Sequence, residues 1–391
     1  MLKDKTYSCS KFNYFYIHFM KKKKQSISRR ETIKYLGLAS GSLALLPYSK
    51  SLFPQKEEKL GVALVGLGNY ATRQLGPALK HTQYCELKGI VTGTPEKEGK
   101  WQEEYGILPE HTYNYKTFDK IADDPAIDII YIVLPNFMHA EYTLRALKAG
   151  KHVICEKPMG MNAQECKDMI AAAKSANKKL QIGYRLFYEP HHLKLTEESQ
   201  KPFEGRMKLI EASLSFDMAR KGLWRIDKKM GGGGALMDLG IYTIQASRRA
   251  AGHNPVSVFA QGYIDDPEMY KDIFGTYVFQ LRFKDNTVCN STVSFSAYSD
   301  RMHVSRGNEY LEIQPAFAAN RITGLMTWNE TKEILEHADF QQTTQMDAFA
   351  RNIFDHTAVI ASGEEGLIDM QIIDAIKASI ETGKSVAVEY E

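Results

Sequence analysis

An uncharged apolar run that ends in a glycine turn constrains this chain more than any other feature. Leu60–Val65 is followed by Gly66-Leu67-Gly68-Asn69-Tyr70-Ala71, a G-x-G-x-x-A arrangement, and then by a helical pattern over 71–80. The run reads as a buried parallel strand. Gly66 permits the tight strand-to-helix turn, Gly68 lets backbone approach a pyrophosphate, and Ala71 is small enough for the helix to pack on the strand. The first turn of the helix offers free N–H donors to phosphate. A lone glycine fingerprint is weak, but here it stands between a strand and a helix, as a dinucleotide site requires.

The pattern continues. Strand-like runs at 86–92, 127–134, 152–155 and 180–183 alternate with helical stretches at 96–105, 139–149 and 163–176. Such alternation implies a doubly wound parallel sheet. An N-terminal Rossmann dinucleotide-binding domain is expected over 60–184. Beyond Glu189 the strands at 207–216, 256–263, 273–283 and 287–296 have no helices between them, apart from one at 235–251 after Gly231–Gly234. Lys284-Asp285-Asn286 reads as a hairpin turn. Helices at 345–361 and 364–381 precede a last strand at 386–389. Residues 185–391 are therefore expected to form an α+β domain with a large, mostly antiparallel open sheet, its last helices free to pack back on the first domain.

Ligands of open α/β sheets sit beyond the carboxyl ends of the strands. The second strand ends at Val91-Thr92-Gly93-Thr94, with no Asp or Glu for a ribose 2′-hydroxyl. Thr92, Thr94 and Lys97 suit a 2′-phosphate instead, which favours NADP over NAD. Asn136 and His139 follow the next strand and are placed to meet the nicotinamide half, although Asn136 is also a helix-cap residue. Lys157, in Cys155-Glu156-Lys157-Pro158, is either a solvated loop charge or a cation directed into the cleft, and a cis Lys157-Pro158 bond would turn it inward. Asp238 and Tyr242, four apart, share a helix face after the glycine run. An acid and a phenol there are either a surface pair or a site.

Composition adds limits. Among 391 residues, the net charge of +3 comes from the first fifty, with 11 Lys+Arg and 2 Asp+Glu. The remainder holds 39 Lys+Arg against 45 Asp+Glu, a net of −6. A body of that sign gives no electrostatic basis for binding nucleic acid or an anionic membrane. The leader, 1–50, reads as a targeting segment. Lys21–Lys24 are basic, Ser28-Arg29-Arg30-Glu31-Thr32-Ile33-Lys34 resembles a twin-arginine export motif, and a weakly apolar run at 35–46 stops at Pro47. That run is short for a membrane span. Met20 reads as a better start than Met1, and no A-x-A cleavage site is evident. A periplasmic or exported location is expected, cytoplasmic if the leader is unused. The five cysteines, Cys9, Cys85, Cys155, Cys166 and Cys289, show no C-x-x-C and no metal-ligand spacing. No metal is expected.

The glycine fingerprint, Leu134-Pro135-Asn136 with His139, Glu156-Lys157-Pro158, Gly183-Tyr184-Arg185, Trp224-Arg225 and GGG-x-LMD-x-GIY at 232–242 occur in the order found in the Gfo/Idh/MocA oxidoreductase family. Within it the chain is similar to the glucose–fructose oxidoreductase branch from about Leu60 to Val388; Gly363–Leu367 and Thr382-Gly383-Lys384 fit too. The resemblance implies a catalytic set of Lys157, Tyr242 and Asp238. Tyr242 stands at the acid/base position that many relatives fill with His. Lys157 supplies charge and a hydrogen bond to the substrate oxygen, and Asp238 orients it. The implied cofactor contacts are Gly66, Gly68, Asn69, Tyr70, Thr92, Thr94, Lys97, Leu134, Asn136, His139, Glu156, Lys157 and Arg185. Tyr188, Trp224, Arg225, Asp238 and Tyr242 are the implied substrate contacts. Arg185 and Arg225 also read as domain-interface ion pairs. The expected activity is hydride transfer between a glucose-like carbinol and NADP, with coupling to a second sugar a possible extension. Alternatives are an NAD-dependent redox glycosidase and a non-catalytic sugar or dinucleotide sensor. Relatives imply a homodimer or homotetramer. Only residues 50–59 separate leader from first strand, too few for the proline-rich arm that covers the cofactor in that branch.

Overall fold

The computed structural model describes residues 59–203, 208–218, 220–328 and 331–390. The leader readings, including Arg29, Arg30 and Cys9, lie outside the described residues. Among those described, no helix is long and apolar enough to cross a membrane.

Six strands form the first sheet: β1 (Leu60–Val65), β2 (Cys85–Val91), β3 (Thr112–Tyr113), β4 (Ile129–Ile132), β5 (His152–Cys155) and β6 (Leu180–Ile182). Their order is β3-β2-β1-β4-β5-β6, and every pair is parallel. The order reverses between β1 and β4, which opens the crevice in which such sheets take a ligand. Val62, Ala63, Leu64 and Val65 are fully buried because helices cover both faces. The helix after the glycine turn is wound differently from expectation. It runs as a π-turn at Ala71–Leu75 and then a short α-helix, Gly76–Leu79. Pro77, at the start of the α-turn, has no N–H to extend a regular ladder backward.

The second sheet has nine strands: β7 (Lys208–Ser215), β8 (Pro255–Tyr263), β9 (Thr276–Phe283), β10 (Val288–Ser294), β11 (Ser299–Arg306), β12 (Glu309–Ile313), β13 (Leu325–Thr327), β14 (Lys332–Glu333) and β15 (Val386–Ala387). Their order is β14-β13-β12-β11-β7-β10-β9-β8-β15. Only β7 and β10 pair in parallel. The expected hairpin turn joins β9 to β10, with Asn286 at φ 65° and the Thr287 N–H donating to Asp285. Alternation in β9 buries Tyr277, Phe279, Leu281 and Phe283 against the helices and leaves Val278 outward.

Three readings of this half need correction. A helix, Pro190–Gln200, interrupts the stretch expected to be all strand; the Glu189 carboxylate caps it by accepting the His192 N–H at 2.8 Å. Glu189-Pro190 is a helix-start pair, but the run that follows mixes His, Lys and Leu without a clean apolar face. Strands β11 to β14 were also not anticipated. The penultimate helix spans Gln341–Phe354, starting four residues and ending seven residues before the expected bounds. It packs Met346, Phe349 and Ala350 into the same core as Val62, Leu64 and Ile90 of the first sheet. The last helix, Gly363–Thr382, lies against both Ala163–Ser175 and β8.

Candidate active site

Four loops at the carboxyl ends of β1, β4, β5 and β6 converge with the start of the helical stretch 234–251. Gly66 has φ +96°, and a Cβ there would stand 2.8 Å from both Leu134 Cδ2 and the Val133 carbonyl. Only glycine fits that turn. Above Gly68 there is open space, with nothing within 4 Å of a built Cβ. Leu134 lies beneath the turn, and Asn69 and Gly68 are exposed on top. This is a cradle that fits a pyrophosphate. Lys97 reaches back from its helix and donates to the Leu67 carbonyl at 2.8 Å, which brings its charge to the rim of the turn. Thr94 is exposed at the end of β2, and its N–H donates to Thr92 Oγ1 at 3.2 Å.

The Lys157-Pro158 peptide bond is cis, and the Lys157 side chain points inward. Its Nζ donates to Asp238 Oδ1 at 2.7 Å and to the Asp238 carbonyl at 2.8 Å. The same ammonium lies 4.8 Å from the centre of the Tyr242 ring. The Arg225 Nε sits 3.0 Å from the other Asp238 oxygen, and its guanidinium covers the Trp224 ring at 4.4 Å. Residues 234–251 are helical, with a π-turn at Leu236–Gly240, and that turn carries Asp238 toward Lys157 one turn before Tyr242. The spacing expectation for Asp238 and Tyr242 therefore meets a third partner across the cleft.

Charge in this cluster follows from burial and neighbours. Burial pulls the Lys157 ammonium down, but Asp238 and Tyr242 outweigh it and its pKa is raised. Burial pushes the Asp238 carboxyl up, yet Lys157 and Arg225 hold it below its usual value. Glu156 is raised: burial dominates over Lys157 and over the hydroxyl of Tyr131, which donates to Oε1 at 2.8 Å. Tyr70, on the glycine turn, is raised well above an ordinary phenol, by burial first and then by Glu156 and Tyr242. The Arg185 guanidinium lies 5.0 Å from the Tyr242 ring centre.

Several expected contacts are placed elsewhere. The His139 ring is 1% exposed, with Nδ1 2.7 Å from the Pro158 carbonyl and Nε2 2.9 Å from the Leu134 carbonyl. It ties two strand-end loops together rather than facing a nicotinamide. Asn136 does not cap its helix; its Nδ2 donates to the Gly231 carbonyl at 2.9 Å and links the first domain to the glycine run. Tyr188 is buried in the core and donates to Gln181 Oε1 at 2.8 Å. Among the described residues Arg185 forms no ion pair between domains; it donates to Gln341 and to the Phe317 carbonyl, and Tyr242 is a further neighbour.

Sequence reasoning missed Gln341 and Gln342. Gln342 Nε2 donates to the Tyr70 hydroxyl at 2.7 Å, and Gln341 holds Arg185. Both stand in the first turn of Gln341–Phe354, where Gln-Gln-Thr-Thr carries no start signal. Only the fold brings them to the cleft.

Known proteins give an independent comparison. Residues 60–184 match the family described as "Oxidoreductase family, NAD-binding Rossmann fold", and residues 201–313 match the GFO/IDH/MocA C-terminal domain. The chain is 34% identical to the aldose–aldose oxidoreductase from Caulobacter crescentus, whose crystal structure with glycerol superposes with a TM-score of 0.81 over 84% of this chain and 100% of that one. It is 29% identical to D-xylose 1-dehydrogenase [NADP(+)] from Haloarcula marismortui, across 84% of this chain and 92% of the relative. The 1,5-anhydro-D-fructose reductase from Ensifer adhaerens is 23% identical over 83% of this chain and 98% of its own length.

Proposed function

Because this chain belongs to the Gfo/Idh/MocA oxidoreductase family, we propose that it is an NADP-dependent oxidoreductase of a pyranose or similar aldose carbinol. The observation that carries this reading is the Lys157–Asp238–Tyr242 cluster at the mouth of the dinucleotide crevice. Its xylose- and aldose-oxidising relatives support the substrate class. NADP supplies the hydride acceptor when bound. Lys157 holds the substrate oxygen and its developing charge, Asp238 fixes the lysine in place, and Tyr242 takes the hydroxyl proton. The open space over Gly68 suits the pyrophosphate. Thr92, Thr94 and Lys97 are the residues proposed to hold the 2′-phosphate, and the absence of an acid at the end of β2 supports NADP over NAD. Trp224 and Arg225 are proposed to bound the sugar.

Likeness to an aldose–aldose oxidoreductase supports a cycle in which a second sugar is reduced by the same cofactor. The twin-arginine-like leader supports export of a folded, loaded enzyme to the periplasm. A homo-oligomer is proposed through the outer face of the second sheet, where Phe259 and Val278 stand exposed on adjacent strands.

Purification without added cofactor, followed by a nucleotide assay and absorbance spectra on adding aldoses, tests the reading. Bound NADP(H) that changes redox state with an aldose supports it. Retained NAD, with release of an aglycone and no net redox change, overturns it in favour of a redox glycosidase.

A further inference from the structure

Strands β12 and β13 are paired as far as Ile313 and Leu325, yet residues 314–324 lie between those two partners. A hairpin needs only about two to five residues there, and longer connections in compact proteins tend to carry function. This loop leaves its own sheet and crosses to the first. Its foot is fixed. The Asp300 carboxylate accepts the N–H groups of Ala316 at 2.8 Å, Phe317 at 2.6 Å and Ala318 at 3.1 Å. His192 Nε2 donates to the Ala316 carbonyl at 2.8 Å, and Arg185 donates to that of Phe317. Ala316, Phe317 and Ile322 are buried, so both arms of the loop are held. Three hydrogen bonds to one carboxylate and a buried aromatic ring make it a strut rather than a mobile flap.

The tip differs from the foot. Asn320, at φ 59°, and Arg321 stand exposed. Asn320 Nδ2 donates to Gln74 Oε1 at 3.4 Å. Gln74 lies about one turn beyond Tyr70 in the helical segment that follows the glycine turn, and Gln342 meets the Tyr70 hydroxyl from the second half of the chain as well. The tip of a second-sheet loop therefore stands beside the helix whose first turn faces the pyrophosphate cradle. Arg321 is next in the chain and has no carboxylate partner among the described residues. An exposed arginine without a partner is ordinary by itself; its place is what matters.

We infer that residues 314–324 form a fixed strut at the dinucleotide crevice and that Arg321, at its tip, is a further NADP-binding residue whose guanidinium pairs with the pyrophosphate. The inference rests on the reading of Gly66–Ala71 as the pyrophosphate cradle. A planar guanidinium forks two N–H donors onto phosphate oxygens, which suits a diphosphate better than a point charge does. The open space over Gly68 leaves room for that contact. Thr92, Thr94 and Lys97 approach the turn from the end of β2, and Lys97 already reaches the Leu67 carbonyl. The loop comes instead to the helix side shared with Gln342, so the group between the two approaches is the pyrophosphate and not the 2′-phosphate.

The test is NADPH release from the loaded full chain, followed as loss of bound-cofactor fluorescence on chase with excess NADP, and repeated with NADH and NAD. Arg321→Gln is expected to speed release of both cofactors by about tenfold or more, because both carry the pyrophosphate. Arg321→Lys keeps a charge without the fork and is expected to fall between Arg321→Gln and the wild type. The thermal midpoint of cofactor-free Arg321→Gln should equal that of the wild type; a lowered midpoint would mark a structural role and overturn the inference. Faster release of NADPH alone would move the charge to the 2′-phosphate and overturn the pyrophosphate assignment. Unchanged release of both removes Arg321 from the site while the reading of the glycine turn stands. A wild-type chain that binds neither cofactor ends that reading, and this inference with it.

Discussion

Asp238 is one negative charge between two cations, and this arrangement sets the pH range of the site. Its folded pKa is lowered, so its contribution to stability is present above the ordinary carboxylate value and is lost as pH falls through the lowered one. The folded pKa of Lys157 is raised, so its contribution is complete below the ordinary lysine value and is lost as pH rises through the raised one. The pair is intact between those limits, which include neutral pH. Asp238→Asn removes the charge that offsets burial of Lys157. The lysine pKa should then fall, and the alkaline limb of kcat/KM should move to lower pH. An alkaline limb at the wild-type position would show that another group keeps Lys157 charged. Tyr242→Phe should reduce turnover by about 10²-fold or more, with NADP binding retained in a fluorescence titration. Undiminished turnover would remove the phenol from the reaction.

At the scale of the element, the glycine turn offers two substitutions of opposite kind. Gly66→Ala meets the Val133 carbonyl at 2.8 Å from a residue already at positive φ, and should destabilise the protein by about 1–3 kcal/mol or more. Gly68→Ala meets nothing, so the thermal midpoint should be nearly unchanged while NADP affinity falls by about tenfold or more. Equal affinity in Gly68→Ala would place the pyrophosphate elsewhere. This turn was legible in the sequence because its causes are local: an apolar strand, a forbidden backbone region and a helix start within a dozen residues. The same holds for the alternation of strand and helix that marks the parallel sheet and for Asp238 beside Tyr242, whereas the two-residue strand β3 carries no run long enough to read. What was not legible depends on contacts distant in sequence. The inward turn of His139 is decided by two carbonyls, of Leu134 and Pro158, that only the folded loops bring together. Tyr188 reads like any cleft tyrosine until Gln181 takes its hydroxyl. Strands β11 to β14 extend the sheet one after another from β7, β11 pairing with β7 and each later strand with the one before it, so their place is set by pairing and not by their own composition.

For the whole molecule, the helix Gln341–Phe354 makes the two sheets interdependent. It belongs in sequence to the second half, yet Thr343 donates to the Ala78 carbonyl, Asp347 accepts the Gln83 and Tyr84 N–H groups, and Phe349 is fully buried beside the first sheet. Its first turn supplies Gln341 to Arg185 and Gln342 to Tyr70, so packing at one end of the helix sets polar geometry at the other. Phe349→Ala should cost about 3–5 kcal/mol through lost burial and the cavity left behind. If the helix couples the halves, calorimetry of the variant should still show one transition at a lower temperature, and the Tyr70 and Arg185 environments should loosen together with a fall in NADP affinity. Two separated transitions would mean that each sheet is stable alone and that the helix merely rests on the first. In that case the glutamines would have to be held at the cleft by the loop that precedes them, and loss of Phe349 would leave cofactor affinity unchanged.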